Sequence, residues 1–338
     1  MAGTAIAGSE RDVLRLGHAF CEAQALLTAV ELGLFTALHD DPATAEEIRV
    51  RLGLHGRGLR DLLRLLVALG VLREDEGRFR NSADADRHLV AGLDGYVGST
   101  LLGAKANLYA LWDGLTDTLR SGRPRSSPGD FTAMLDDPAE VRRYARMMEG
   151  SLGTVVSPLL EAVDWSAHRS VVDVGGCRGG LVGRIVAAWP ALAGHVFDLP
   201  QLEPVFSEHM AELGLTGKVS FHAGDFFRDP LPRTDLMVFG HVLHNWSWEQ
   251  RAHLLRAAFR ALEPGGVLLV YDRMLDEAFA DVDNLVASLI MALVTEEGGE
   301  YTVGELRELA TSVGFATVDD QRLDANETLV VCRKPATG

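Results

Sequence analysis

The stretch VVDVGGCRGG, residues 171–180, decides how the second half of this chain folds. Three valines around Asp173 read as a short strand buried on both faces. The glycine-rich run after it reads as a tight turn opening a helix over LVGRIVAAWP. In an open α/β sheet such a turn lies at the carboxyl end of the first strand, where ligands bind. A dinucleotide fingerprint needs glycine at i, i+2 and i+5. Counted from Gly175 these positions hold Gly175, Cys177 and Gly180; counted from Gly176 they hold Gly176, Arg178 and Leu181. Both registers fail, which argues against a nicotinamide enzyme. Taken alone, the stretch is also explained by a glycine turn that only packs a helix onto a sheet.

The segments on either side change that balance. HVFDLP ends a second strand at Asp198, 23 residues beyond Gly175, and a carboxylate there can accept both hydroxyls of a ribose. A third strand ends in AGDFF, where Asp225 can take an adenine amino group while Phe226 packs on the ring. A glycine turn and two acids on three successive strand ends make a nucleoside site. From Arg169 onward short apolar runs alternate with amphipathic helices, the pattern of right-handed βαβ units on a parallel sheet. TDLMVFG and GVLLVYDRML supply the fourth and fifth strands, and ATVDDQRL and ETLVVCRK follow the helix TVGELRELATSVGF.

The first half reads differently. Residues 1–10 form a loose tail, and apolar positions recur at helical spacing from Arg11 to about Leu38. TAEEIRVRLGL and GRGLRDLLRLLVALGVL then form two short helices, Thr44 with Glu47 giving a capping box, and EDEGRF forms a hairpin. This order is that of a winged helix. Nine Arg against eight acidic residues between Glu46 and Val90 leave it almost neutral, so a DNA-binding regulator is the weaker reading and a packing or dimerisation module the stronger. A polar linker, RSGRPRSSPGD, spans residues 120–130.

Composition bounds the rest. The 338 residues are 47% apolar and 24% charged, and a net charge of −16 argues against a general affinity for nucleic acid. No apolar run approaches the roughly 18 residues of a membrane span, and no signal peptide is recognisable. Three scattered cysteines form neither a zinc motif nor a disulfide framework, which fits a cytoplasmic protein.

HVLHNWSWEQ, residues 241–250, follows the fourth strand at the ligand-binding edge. His241 and His244 can be read as a metal pair, as a base with a structural neighbour, or as two core histidines. No third histidine near residues 290–300 completes a metal set. An imidazole facing the nucleoside site has a pKa suited to removing a proton.

In order, DVGGCRGG, FDLP, GDFF, HVLHNW, LEPGG and GGEYT resemble the S-adenosylmethionine-dependent small-molecule O-methyltransferases with an N-terminal winged-helix dimerisation domain, of plant phenylpropanoid and bacterial natural-product type. The resemblance covers about Arg11 to Lys334. It implies an α/β chain with a mostly α N-terminal winged-helix dimerisation domain over residues 11–100. A helical connector over 101–165 contributes to the acceptor pocket, and a Rossmann-like methyltransferase domain with a seven-stranded, mostly parallel sheet spans 166–336. It further implies S-adenosyl-L-methionine as cofactor, a small-molecule acceptor and a homodimer formed through the N-terminal domain.

The resemblance assigns Gly175, Asp198, Asp225, Phe226 and Gly240 to the cofactor and His244 to the base, with Asp272 and Glu300 as its supporting acids. It places Asn245, Met148, Met291 and Trp112 along the acceptor, and lets Phe20 reach the partner subunit. Two departures stand out: Cys177 replaces a usual third glycine, and Gly240 replaces a residue that is often polar or basic. The reaction implied is methyl transfer to a hydroxyl of an aromatic or polyketide-like acceptor. Carbon or nitrogen acceptors, with or without a metal, are the alternatives within the same fold.

Overall fold

The structure, a computed structural model, describes residues 9–336 apart from 94, 126–127, 154 and 279–280; it also leaves the side chains of residues 128–130, 132 and 151 undescribed. Most of the expected N-terminal tail lies outside the described residues. The chain divides into two compact units, residues 1–113 and 114–338.

In the first unit the long apolar stretch forms three helices, Glu10–Gly17, Ala19–Glu31 and Leu34–Ala37, where the sequence periodicity runs without a break. The interruptions fall at His18 and at Gly33, whose φ of +69° is left-handed. Strand β1 (Ala43–Thr44), helices Ala45–Arg51 and Leu59–Ala68, and strands β2 (Leu72–Asp75) and β3 (Arg78–Asn81) follow, with the three strands ordered β1-β3-β2. The capping box forms as read: Thr44 accepts from the Glu47 N–H, and the Glu47 carboxylate accepts from the Thr44 N–H. The hairpin turns at Glu76 and Gly77, both at positive φ, which matches the twist of the flanking strands. Phe35, Leu38, Ile48, Leu63, Leu66 and Phe79 fill the core of this unit. No residue of the helix Glu10–Gly17 is buried, and Val13, Leu14, Leu16 and Phe20 are all more than half exposed.

The second unit is a seven-stranded sheet. Its strands are β4 (Ser170–Val174), β5 (Ala193–Asp198), β6 (Val219–Ala223), β7 (Thr234–Gly240), β8 (Leu262–Asp272), β9 (Thr317–Arg322) and β10 (Thr328–Arg333). They are ordered β6-β5-β4-β7-β8-β10-β9, and only β10 runs antiparallel to its neighbours. Val171, Val172 and Val174 are fully buried, because β4 is central and separate hydrophobic clusters cover the two faces of the sheet. The chain winds one way from β4 to β6 and the other way from β7 onward. The switch between β4 and β7 opens a crevice beyond their carboxyl ends. Helix Gly180–Ala188 follows β4 and helix Trp248–Ala261 follows β7, so both begin at that edge.

A capping box opens the second of these helices: Ser247 accepts from the Gln250 N–H, and Gln250 accepts from the Ser247 N–H. Ser247→Ala leaves that first turn short of an acceptor, and it should lower stability by about 1 kcal/mol in urea denaturation.

Candidate active site

The turn after β4 carries three left-handed residues within five positions: Gly175 at φ +76°, Cys177 at +51° and Gly179 at +80°. Cys177 therefore keeps the conformation expected of the missing glycine. A residue with a Cβ is strained in that region, by about 1–2 kcal/mol. Its side chain is buried among Ala145, Met148, Leu202 and Val205, which offsets part of that strain. Its N–H donates to Asp198 Oδ2 at 2.8 Å, and the Leu199 N–H donates to Oδ1 at 2.7 Å. Burial pushes the Asp198 carboxyl up to about 6, against the pull of those two amides. Each oxygen keeps a lone pair for a further donor.

Asp225 shapes its own turn. Its Oδ1 accepts from the Phe227 N–H at 2.9 Å, Arg228 lies 3.4 Å from Oδ2, and a third of the side chain stays exposed. Phe226 packs edge-on against Phe227 and Trp246 at 4.9 and 5.7 Å. At the end of β7, Gly240 lies beneath a tyrosine. A Cβ built on Gly240 would come 2.1 Å from Cζ and 2.2 Å from the hydroxyl of Tyr271, its neighbour on β8. The space for a polar side chain at position 240 is thus filled by Tyr271, which is itself buried.

The histidine stretch forms a short 3-10 turn, Leu243–Asn245, directly after β7. His244 is nearly buried, and its Nδ1–H donates to Glu300 Oε1 at 2.8 Å. Asp272 Oδ1 stands 3.7 Å from the same nitrogen and has no hydrogen-bond partner; its Oδ2 accepts from the Tyr301 hydroxyl. The other ring nitrogen of His244 has no hydrogen-bond partner among the described residues. Burial works to lower the His244 pKa, but the charge of Asp272 and the hydrogen bond and charge of Glu300 outweigh it and lift it to about 9. Burial pushes Asp272 up to about 7, partly opposed by His244.

His241 takes a different part. It is left-handed at φ +53°, and its two nitrogens lie 3.8 Å from Asp272 and 3.5 Å from Glu327. Burial, with His244 and Arg273 beside it, pushes its pKa down to about 3, so the ring is neutral. His241, His244 and Asp272 bring potential metal-ligand atoms within 4.8 Å of one another. Glu300 already holds Nδ1 of His244, so any cation there competes with that bond.

Asn245 donates its amide to the carbonyls of His241 and Val242 at 3.0 and 3.3 Å, which pins the turn. Met148 packs in the cluster that buries Cys177, beside the glycine turn. Met291 is half-buried on the helix Val282–Val294. Trp112 belongs to the first unit, half-buried near the end of the helix Gly98–Asp113.

Sequence reasoning missed several residues of this edge. Asp173 is buried, pushed up to about 8 by burial and by Asp198, and a Cβ on Gly176 would come 2.6 Å from its Oδ2. Glu327, buried at the approach to β10, faces His241 and Arg273. Arg251 and Tyr301 are buried beside the Glu300 loop. Asp173, Glu327 and Arg251 sit in segments whose pattern reads as ordinary strand or helix, and only their burial distinguishes them; Tyr301 lies in the GGEYT stretch beside Glu300.

Two family descriptions match the chain: an O-methyltransferase domain over residues 112–316 and an O-methyltransferase dimerisation domain over residues 14–91. The chain belongs to the S-adenosylmethionine-dependent O-methyltransferases. It is 43% identical over 327 residues to the tetracenomycin polyketide synthesis 8-O-methyl transferase TcmO of Streptomyces glaucescens, covering 96% of each chain. It is 39% identical over 332 residues to the N,N-dimethyltransferase OxyT of Streptomyces rimosus, again over 96% of each. Among solved structures, human N-acetylserotonin methyltransferase in complex with S-adenosylmethionine superposes with a TM-score of 0.83 at 26% identity. That match covers 98% of this chain and 99% of the human one.

In this methyltransferase the Gly240–Tyr271 contact is testable on its own. Gly240→Ala should cost about 1–3 kcal/mol by overpacking. In thermal denaturation the double variant Gly240→Ala/Tyr271→Ala should be less destabilised than the two single changes added together.

Proposed function

We propose that this methyltransferase moves the methyl group of S-adenosyl-L-methionine to a hydroxyl of a small aromatic or polyketide-like acceptor, with His244 as general base. The observation that carries this reading is the asymmetry of the His244 ring. One nitrogen is committed to Glu300 at 2.8 Å, and the other is unpartnered at the strand edge that also holds the glycine turn.

The residues of that edge fit the cofactor. A left-handed glycine turn lets a ligand approach the backbone, and the Asp198 oxygens have lone pairs left for two ribose hydroxyls. Gly175 and Gly240 line the approach, while Asp225 and Phe226 hold the adenine. When bound, S-adenosylmethionine supplies an electrophilic methyl group on a sulfonium. The chain then has two tasks, aligning the acceptor and taking its proton.

His244 takes that proton at Nε2, and Glu300, with Asp272 behind it, stabilises the positive charge that develops on the ring. The raised pKa suits the task. An ordinary phenol titrates near 10 and an imidazole near 6.5, so lifting His244 to about 9 closes most of a gap that costs about 1.4 kcal/mol per unit. Asn245 Oδ1, Met291 and Met148 are the acceptor-side candidates. The exposed apolar side chains of Leu14, Leu16 and Phe20, within the dimerisation domain, support a homodimer as the working form. A nitrogen acceptor is the second reading, favoured by the 39% identity to a relative named as an N,N-dimethyltransferase.

Calorimetric titration should detect S-adenosylhomocysteine but not NADH; failure to bind the former removes the cofactor reading. Asp198→Ala should weaken S-adenosylhomocysteine binding by tenfold or more, on the order of two lost hydrogen bonds; unchanged affinity refutes the ribose assignment. His244→Ala should keep that affinity and lose about 10²–10⁴-fold in kcat. The base works in its neutral form, and its pKa is raised. The wild-type kcat should therefore climb with pH through the neutral range and level off only near 9. A flat profile there, or near-wild-type turnover by His244→Ala, removes His244 from proton transfer.

A further inference from the structure

One buried cation has no part in the chemistry described so far. Arg251 sits on the helix Trp248–Ala261 and is 4% exposed, yet no carboxylate lies within ion-pair distance of it among the described residues. Its Nε donates to the Leu243 carbonyl at 2.9 Å, and an Nη donates to the Gly299 carbonyl. Leu243 precedes His244, and Gly299 precedes Glu300. The guanidinium is flanked by the Trp248 and Tyr301 rings at 4.8 and 4.5 Å, and the Tyr301 hydroxyl donates to Asp272. It therefore touches the chain next to His244 and next to Glu300, and reaches Asp272 through Tyr301.

The two loops it joins are also in direct contact. The Gly299 N–H donates to the His244 carbonyl at 2.8 Å, and a Cβ on Gly298 would come 2.6 Å from that carbonyl. Nothing larger fits between the loops, so a shift of either one moves the imidazole against its carboxylate.

A neutral donor could satisfy two carbonyls, so the use of a buried charge needs a reason. An unpaired buried cation is costly unless nearby charge compensates it. Burial favours loss of its charge, and the nearby carboxyl groups of Asp272, Glu300 and Glu305 oppose that. In return the guanidinium favours the ionised form of Asp272. Only a planar fork can reach two carbonyls and stack between two rings at once; an ammonium cannot.

We propose that Arg251 is a positioning residue for the base: it locks the loops carrying His244 and Glu300 in one register. The proposal rests on His244 acting as the base, and the test separates the two ideas.

Arg251→Met and Arg251→Lys are made in the full-length enzyme, each with and without His244→Ala. S-adenosylhomocysteine affinity, kcat and the pH profile of kcat are then measured. Arg251→Met should bind S-adenosylhomocysteine within a few-fold of wild type and lose about 10–100-fold in kcat, the scale of a small misplacement of a catalytic group. With the Glu300 bond loosened, its rising pH limb should move from about 9 towards the ordinary imidazole range. Arg251→Lys should fall between. In the His244→Ala background, Arg251→Met should cost nothing further, because there is no base left to position.

A full additional loss in that background, or a lowered rate with an unmoved pH limb, overturns the proposal and makes Arg251 a plain packing residue. If Arg251→Met does not fold, wild-type kcat and pH limb in Arg251→Lys overturn it equally. Near-wild-type turnover by His244→Ala alone refutes the base itself, an outcome distinct from either.

Discussion

The hydrogen bond from His244 to Glu300 joins residues 56 positions apart in the chain, and much of the second unit exists to let it form. One partner sits on the turn that leaves β7; the other sits on a loop that returns after β8 and a helix. Neither group is stable alone where it lies. A buried carboxylate and a buried imidazole each lose hydration, and together they recover part of it only at hydrogen-bond distance. The sheet makes that distance reproducible, because β7 and β8 pair in fixed register from Leu236–Val267 to Gly240–Tyr271. Register sets where His241, His244 and Asp272 emerge. The loop carrying Glu300 must then reach them, and Gly298 gives it the close approach that a larger residue would block.

The glycine turn depends on a different constraint. The turn after β4 must hold three left-handed residues and also present an amide to Asp198. Glycine meets the first need twice. Cys177 meets it at a strain cost, and burial of its side chain among Met148, Leu202 and Val205 offsets that strain. The helix Pro138–Ser151 is drawn in by the same packing, and Glu149 bridges Arg178 of the turn and Arg184 of the following helix at 3.2 and 2.6 Å. A departure from the family pattern at one residue is thus absorbed by its surroundings. The Gly240–Tyr271 pair shows the same logic, the ring of one residue filling the side-chain space of the other.

Kinship narrows the chemistry from outside. Relatives that share about two-fifths of the sequence over nearly the whole chain include one named for oxygen and one named for nitrogen. A fold that aligns an acceptor with an activated methyl group and offers one base can serve either atom.

The sequence by itself determined the sheet and the edge. Short apolar runs separated by amphipathic helices specify a parallel α/β unit, and a glycine turn and acids at successive strand ends mark where ligands bind, because strand polarity puts those ends on one side. Helix caps such as Thr44 with Glu47 were equally legible, since their partners are three residues apart. The likeness of HVLHNW and GGEYT to a known family added the proposed base and the acids assigned to it. Only the tertiary structure decided which acid holds His244: Glu300 bonds to it, and Asp272 stands just behind. It also showed Asn245 turned back onto its own loop, Met148 beside the cofactor turn, and Arg251, Glu327 and Asp173 buried at the site. The reason is physical. Periodicity reports which face of an element is apolar, but a buried charge on that element is identified only by what packs against it from distant parts of the chain.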